Sequence, residues 1–472
     1  PSSRPTRVRY SILGMLCLLA MITYLDRAMY GSFKGDMMEA VNRPVADFFW
    51  VLTAFQIAYA LFEIPTGYLG DRFGPRKTIL RLVLWWSFFV AFTPAVGLIF
   101  PTEVFVVGSV FFLAFAVLIL AEFFFGMGEA GAFPNITRAL YNWFPATERG
   151  FAQGSIWLSA RFMGGLTPCV AVILVSVVGL SWRQALWVFA GLAVVWCAAF
   201  YLYFRNRPDE HPGTNAAERE LIDAGRTPQA GHHGVPWGRI FSSRNVWALC
   251  AMYMVTNFNW YFLMYNLPNM LKARYADLNA TTGGKIQLAL LGGAPMLVGM
   301  AGCLCGGLLT DQYIRRTGDR KWGRRIFAMI GYGMAGLCYF AARAFTGPDS
   351  LWPFAICLML VGFFNDFIMG PSWAAAQDIG RRYSAIVSGT MNMVGNLGAV
   401  LGIQVTGHLL KYYTAEGAAE PDPAAYGVLF LIYMGVYFAG VGLWLLIDAS
   451  KPIATGEAPE HQDYREPGAQ DR

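Results

Sequence analysis

An acid and a base stand side by side at Asp26-Arg27, directly after a run of mostly Leu, Met, Ile, Ala and Tyr over residues 10–25. If that run lies in lipid, each charge costs a few kcal/mol or more, about 2.5–3.5 on insertion scales, unless it faces protein or a water-filled cavity. Tyr24-Leu25-Asp26-Arg27 is therefore a candidate functional site, the alternative being a pair at the membrane surface or a lock between two helices. Arginine presents a planar fork that meets a carboxylate at two points. A carboxyl in the same pocket can gain and lose a proton, and the two together suit the binding of an organic anion coupled to proton movement. Arg161 is the other basic residue expected inside the membrane. Glu122 and Glu129 lie seven residues apart, two helical turns, and so share a face. Asp366 is a further buried acid, with the roles of ionisable site and structural hydrogen bond equally open to it.

Around these charges the later sequence is polar but uncharged. Asn257 and Tyr261, Asn365 and Ser372, and Asn392 and Asn396 are each spaced by one or two helical turns. Each pair can offer amides and hydroxyls to a polyol chain. Hydrogen bonding between helices is the competing role. Trp85, Trp157 and Trp373 are expected to pack or to anchor at the interface. The eight cysteines all fall within apolar blocks, as small packing residues without a disulfide framework.

The elements that must hold such groups are membrane helices. Of 472 residues 56% are hydrophobic and only 14% charged, against about 25% charged in an average soluble domain. The apolar residues recur in blocks of bilayer-spanning length. Twelve spans are expected, near 10–33, 46–69, 78–98, 108–136, 151–176, 183–204, 245–270, 285–310, 325–345, 352–376, 384–410 and 427–447. With the N-terminus inside, 26 of the 36 Lys and Arg residues fall on the inner side and 8 on the outer, with Arg27 and Arg161 within spans. That excess orients both termini to the cytoplasm. The organisation expected is a six-helix bundle over 1–204, a cytoplasmic linker over 205–244, a second six-helix bundle over 245–450 and a tail over 451–472. In the linker, Thr214-Asn215 can cap a short helix at Ala216–Ala224, and His232-His233 is expected to be solvated.

The halves repeat. Gly67-Tyr-Leu-Gly-Asp71-Arg72-Phe-Gly74-Pro-Arg76-Lys77 follows the second span, and Gly307-Leu-Leu-Thr-Asp311 with Arg315, Arg316 and Gly318 follows the eighth. An Asp at a helix end, then a glycine turn and basic residues, can clamp one bundle to the other on the inner face. Asp71, Arg72, Arg76 and Asp311 are the expected gating residues.

Residues 67–77 resemble the signature loop of the major facilitator superfamily, G-x-x-x-D-R-x-G-R-R, with Pro75 where the first of the two final basic residues is usual. The chain is similar, more narrowly, to the anion:cation symporter family of hexuronate, galactonate and glucarate permeases and sialin. Tyr24-Leu-Asp-Arg27, Gly126-Met-Gly-Glu129-Ala with Phe133-Pro134, Trp143-Phe-Pro145 with Glu148-Arg-Gly150, Ser388 to Asn396, and the linker from Arg207 to His211 carry that likeness. It implies an all-α membrane protein of twelve helices, in two pseudo-symmetric bundles around one alternately exposed cavity. It implies proton coupling at Asp26 and Glu129, substrate contact at Arg27, and cavity-lining roles for Tyr24, Tyr59 and Asn392. Arg161, Tyr261, Ser372 and Asn396 complete the expected substrate contacts. The family usually has an Arg seven residues before its helix-four Glu, where this chain has Glu122. Arg161 is expected to replace that arginine or to pair with Glu122, unless Glu122 is solvated at a helix end.

The function expected is proton-coupled symport of an organic anion, such as a hexuronate or aldonate, across the plasma (inner) membrane. The alternatives are proton-driven efflux of drugs or other solutes, or a non-transporting sensor. Two intramembrane arginines disfavour a cationic cargo, and no phosphate-binding G-x-x-x-x-G-K-[ST] loop points to an ATP-driven pump. The partners expected are a small organic anion, protons and the lipid bilayer; no enzyme activity, cofactor, metal or nucleic acid is expected, and the chain is expected to be monomeric.

Overall fold

The computed structural model describes residues 4–106, 109–145, 148–223, 237–345, 350–380, 384–414 and 423–453. Within them, long helices carry the fold: α1 (Val8–Ser32), α2 (Phe48–Phe73), α3 (Pro75–Phe92), α4 (Leu113–Trp143), α5 (Arg149–Val172) and α6 (Trp182–Tyr203). The second half holds α7 (Arg244–Tyr265), α8 (Thr282–Thr317), α9 (Arg320–Ala342), α10 (Leu351–Gly380), α11 (Ser384–Tyr412) and α12 (Pro423–Trp444). Eleven of these are long and apolar enough to cross a bilayer. The exception is α7, which Asn245, Thr256, Asn257 and Asn259 make less apolar than the rest.

The first half pairs α1 with α5, α2 with α4 and α3 with α6; the second pairs α7 with α11, α8 with α10 and α9 with α12. The second set is the first displaced by six helices, so the repeat in sequence is a repeat in packing. The halves meet along α2–α11 and α5–α8, two seams that the same pseudo-twofold exchanges. Close approach is built into the sequence: a β-carbon on Gly293 of α8 would strike the Gly165 carbonyl of α5, and one on Gly398 or Gly402 of α11 would strike α7 backbone. Gly398 and Gly402 are thus close contacts between helices.

Two local outcomes differ from the sequence reading, and a third agrees with it. The fourth helix begins at Leu113, not near 108, because Val104–Val106 and Ser109–Phe111 pair as a short antiparallel hairpin; Val and Phe favour extended backbone, and Pro101 keeps the approach from becoming helix. α4 is interrupted at Ala130-Gly131 and α10 at Ile368. The linker helix, Ala216–Asp223, is capped by Asn215, whose Oδ1 accepts from the Glu218 amide at 2.9 Å. His232-His233 lies outside the described residues.

That linker helix docks on the first bundle. Buried Glu218 accepts from the backbone amides of Val8 and Arg9 and from Arg9 Nη1 at 3.1 Å. Arg9 also reaches Glu148 before α5, at 3.0 Å, and holds that carboxyl below its usual range. We call this the linker face and the opposite one the far face.

Candidate substrate and coupling site

The paired charges in the sequence separate in space. Neighbouring helical residues point about 100° apart, so Asp26 and Arg27 face different helices. Arg27 turns toward α2 and α4: its Nε lies 2.7 Å from Glu129 Oε2, and its guanidinium carbon sits 4.4 Å from the ring centroid of Tyr59 and 5.4 Å from that of Phe55. Its Nη2 is buried without a hydrogen-bond partner. Both Asp26 oxygens are buried without one too, and the electrostatic neighbours of this carboxyl are Glu129 and the Trp86 indole of α3. The base that Glu129 neutralises is thus Arg27, while Asp26 sits behind it inside the first bundle.

Arg161 does not pair with Glu122. Its Nε and Nη2 lie 2.9 and 3.1 Å from the two carboxylate oxygens of Asp366 on α10, so it crosses from one bundle to the other. Its Nη1 donates to the Tyr24 hydroxyl at 3.1 Å, and the Trp260 ring of α7 lies 4.0 Å from its guanidinium carbon. The Glu122 pairing is corrected accordingly. Glu122 is buried rather than solvated, and its neighbours are Tyr30 and Glu129, because its face of α4 turns inward to α1. Asp366 is held by its own bundle as well: Asn365 Nδ2 donates to it at 3.2 Å, and Asn365 Oδ1 accepts from the Tyr437 hydroxyl at 2.9 Å.

Tyr24 joins the two sites. The Arg27 and Arg161 guanidinium carbons lie 5.6 and 5.7 Å from its ring centroid. Toward the linker face, Trp157 stacks on Phe133 at 4.6 Å, and Trp157 faces Trp373 across the seam at 6.2 Å. These two tryptophans line the space between bundles, whereas Trp85 is 41% exposed on the outer surface and donates to the Phe124 carbonyl.

On the other seam, Asn392 and Asn396 of α11 both donate to Glu63 of α2, and Gln56 donates to Asn396 at 2.8 Å. Tyr261 is buried beside Arg27 and stacks on Tyr265 at 5.6 Å. Ser372 is a correction: fully buried, its Oγ lies against the Met252 sulfur at 3.7 Å, inside the second bundle and away from the charges. Glu63 was missed by the sequence reading. Its signal was present, as a lone acid two residues before Pro65 in an apolar span.

Among the described residues, three of the expected gating residues, Arg72, Arg76 and Asp311, are held within their own bundles. Asp311 pairs with Arg324 at 3.0 Å, and Arg324 with Asp378 at 3.1 Å, all within the second bundle. Arg76 bonds to the Tyr201 carbonyl and Asn206 in the first, and Arg72 is exposed against Phe73. The turn from α8 into α9 is short enough to bring Arg324 back onto Asp311, which satisfies that acid locally. The Asp71 side chain lies outside the described residues. Bonds between bundles instead run from mid-membrane to the far face: Gln404 to Thr53 at 2.7 Å, Asn269 to the Gly31 carbonyl at 2.6 Å, and Lys411 to Asp47 at 2.6 Å.

Comparison with known proteins accords with this architecture. Residues 16–403 match the family model described as Major Facilitator Superfamily. The "Probable sulfoacetate transporter SauU" of Cupriavidus necator is 30% identical over 460 residues, 97% of each chain. The "Probable galactarate/D-glucarate transporter GudP" of Bacillus subtilis is 26% identical over 431 residues, 87% of this chain and 88% of its own. Among solved structures, a bacterial homolog to the human lysosomal transporter Spinster, inward-facing and unoccupied, superposes with TM-score 0.68 at 17% identity, over 93% of this chain and 98% of its own. A D-xylose-proton symporter gives 0.67 at 14%, over 94% and 98%. With anion transporters among the relatives that span nearly all its length and with this fold, the chain belongs to the Major Facilitator Superfamily.

Proposed function

We propose that this protein is a secondary active transporter that carries a small organic anion together with protons by alternating access. The observation that carries the reading is the Arg27–Glu129 contact: a buried guanidinium held by a carboxylate on one edge, with Nη2 left unpartnered. An incoming anion and Glu129 compete for one cation. When Glu129 takes up a proton it loses its hold on Arg27, the anion binds, and the two are carried together; Asp26, adjoining Glu129, can pass or share that proton. Arg161 on the other side of Tyr24 offers a second guanidinium, released from Asp366 by the same competition. The site therefore suits sugar acids, and also anions charged at both ends, as sulfoacetate, galactarate and D-glucarate are. Asn392, Asn396 and Tyr261 supply polar groups beside it. The far-face bonds keep that side shut while the linker face, read as cytoplasmic from the Lys and Arg excess, opens.

A thermal-shift screen of purified protein over sugar acids, dicarboxylates and sulfonates identifies the ligand, which is then followed in proteoliposomes. Asp26→Asn and Glu129→Gln are expected to lose accumulation driven by a pH gradient and to keep counterflow exchange. Undiminished pH-driven accumulation in both variants would overturn proton coupling at this site.

A further inference from the structure

Glu63 has no part in the competition just described, yet it is an acid of α2 that reaches the second bundle. It is 9% exposed, lies two residues before Pro65, and accepts from Asn392 and Asn396, one turn apart on α11. Those amides also adjoin the charged site: Gln56 donates to Asn396, and the charge of Arg27 acts on Glu63. The other titratable groups facing it are Tyr59 on its own helix and Tyr253 from α7. A proline inside a helix leaves a carbonyl of the preceding turn unbonded and weakens the helix there, so Glu63 sits where α2 bends most easily.

We propose that Glu63 is a stand-in anion. In the empty cavity its carboxylate occupies the Asn392 and Asn396 amides and ties α2 to α11; a bound substrate anion takes those amides and releases the tie. Two amides converging on one carboxylate form a donor pair for any carboxylate of similar reach. The same exchange then converts binding into movement of the seam, because α2 and α11 are one of the two contacts by which the bundles meet. The tie itself stands on geometry alone; the exchange rests on the organic-anion reading above.

The test uses the full chain in nanodiscs, without its native cysteines and with spin labels at the exposed positions Trp50 on α2 and Tyr412 on α11. Without ligand, Glu63→Gln and Asn392→Ala are each expected to enlarge the long-distance population at least about twofold, and the double variant no further than either single one. With D-glucarate as probe, Glu63→Gln is expected to bind about tenfold more tightly, since the internal competitor has lost its charge. Distance distributions that superpose on those of the parent overturn the tie. Weaker binding by Glu63→Gln overturns the exchange and makes Glu63 a direct acceptor for substrate hydroxyls. If the parent ignores D-glucarate while the distances shift, the tie stands and the anion reading fails for this class.

Discussion

α4 and α10 occupy equivalent places in the two halves and solve the same problem in opposite ways. Each carries an acid five residues before a proline, Glu129 before Pro134 and Asp366 before Pro371, with a helix interruption between. Glu129 is neutralised from within its own bundle, by Arg27 of α1. Asp366 is neutralised from across the seam, by Arg161 of α5. An intra-bundle pair can open and close without moving the bundles, which suits a coupling group. A pair that spans the seam cannot, so it reports and restrains their relative position. Under the proposed cycle, this asymmetry of charge partners within a symmetric scaffold divides coupling from restraint.

The largest expected effect comes from breaking the cross-seam pair. Asp366→Asn leaves Arg161 buried and unpaired, at a cost of about 3–5 kcal/mol, seen as a lower thermal midpoint together with lost transport. Removing both charges, in Arg161→Gln/Asp366→Asn, should recover most of the stability but none of the transport. If the single variant is as stable as the parent, the pair is not the restraint described here. A smaller effect is expected at the far face, where buried Asp47 links Arg43 to Lys411. Asp47→Asn should raise the labelling rate of a cysteine introduced at Gln404, with a stability loss of about 1 kcal/mol or less because Lys411 is half-exposed. Unchanged labelling would mean that the remaining far-face bonds suffice to keep that side shut.

The smallest effect is electrostatic and lies outside the membrane. Arg9 holds the Glu148 carboxyl below its usual range. A depressed folded value stabilises the contact at all pH above the unfolded value, about 4.3, and that contribution fades as pH falls through the lower folded value. Between pH 5 and 8 Glu148 should add a constant stabilisation and no pH dependence to the thermal midpoint, and acidification below about pH 4 should soften the parent more than Glu148→Gln. Glu148 is partly exposed, so a shift of more than a degree or two would be surprising.

Much of the architecture was legible in the sequence because membrane burial is a strict filter. Blocks of apolar residues are costly anywhere but in lipid or a protein core, so the helices and their sixfold displacement could be read from composition and breakers. The inward-facing chemistry was legible for the same reason: Asp26, Arg27, Glu129 and Arg161 stand out where charge is expensive. Ser372 misled because period alone cannot separate a cavity-facing hydroxyl from one packed against its own bundle, and the Arg324 partner of Asp311 was hidden because one short turn sets it.

The sequence by itself determined the class of fold, the repeat and the set of buried charges, since each of these follows from the free energy of placing a residue in lipid. Only the tertiary structure decided the partners. Asp26 and Arg27 are neighbours in the chain yet face different helices, Arg161 reaches past Glu122 to Asp366, and Glu63 finds its amides more than three hundred residues away. Burial penalises a lone charge whatever its address, but Coulomb attraction and hydrogen bonding act over a few ångströms, and which groups come that close depends on how the two bundles meet.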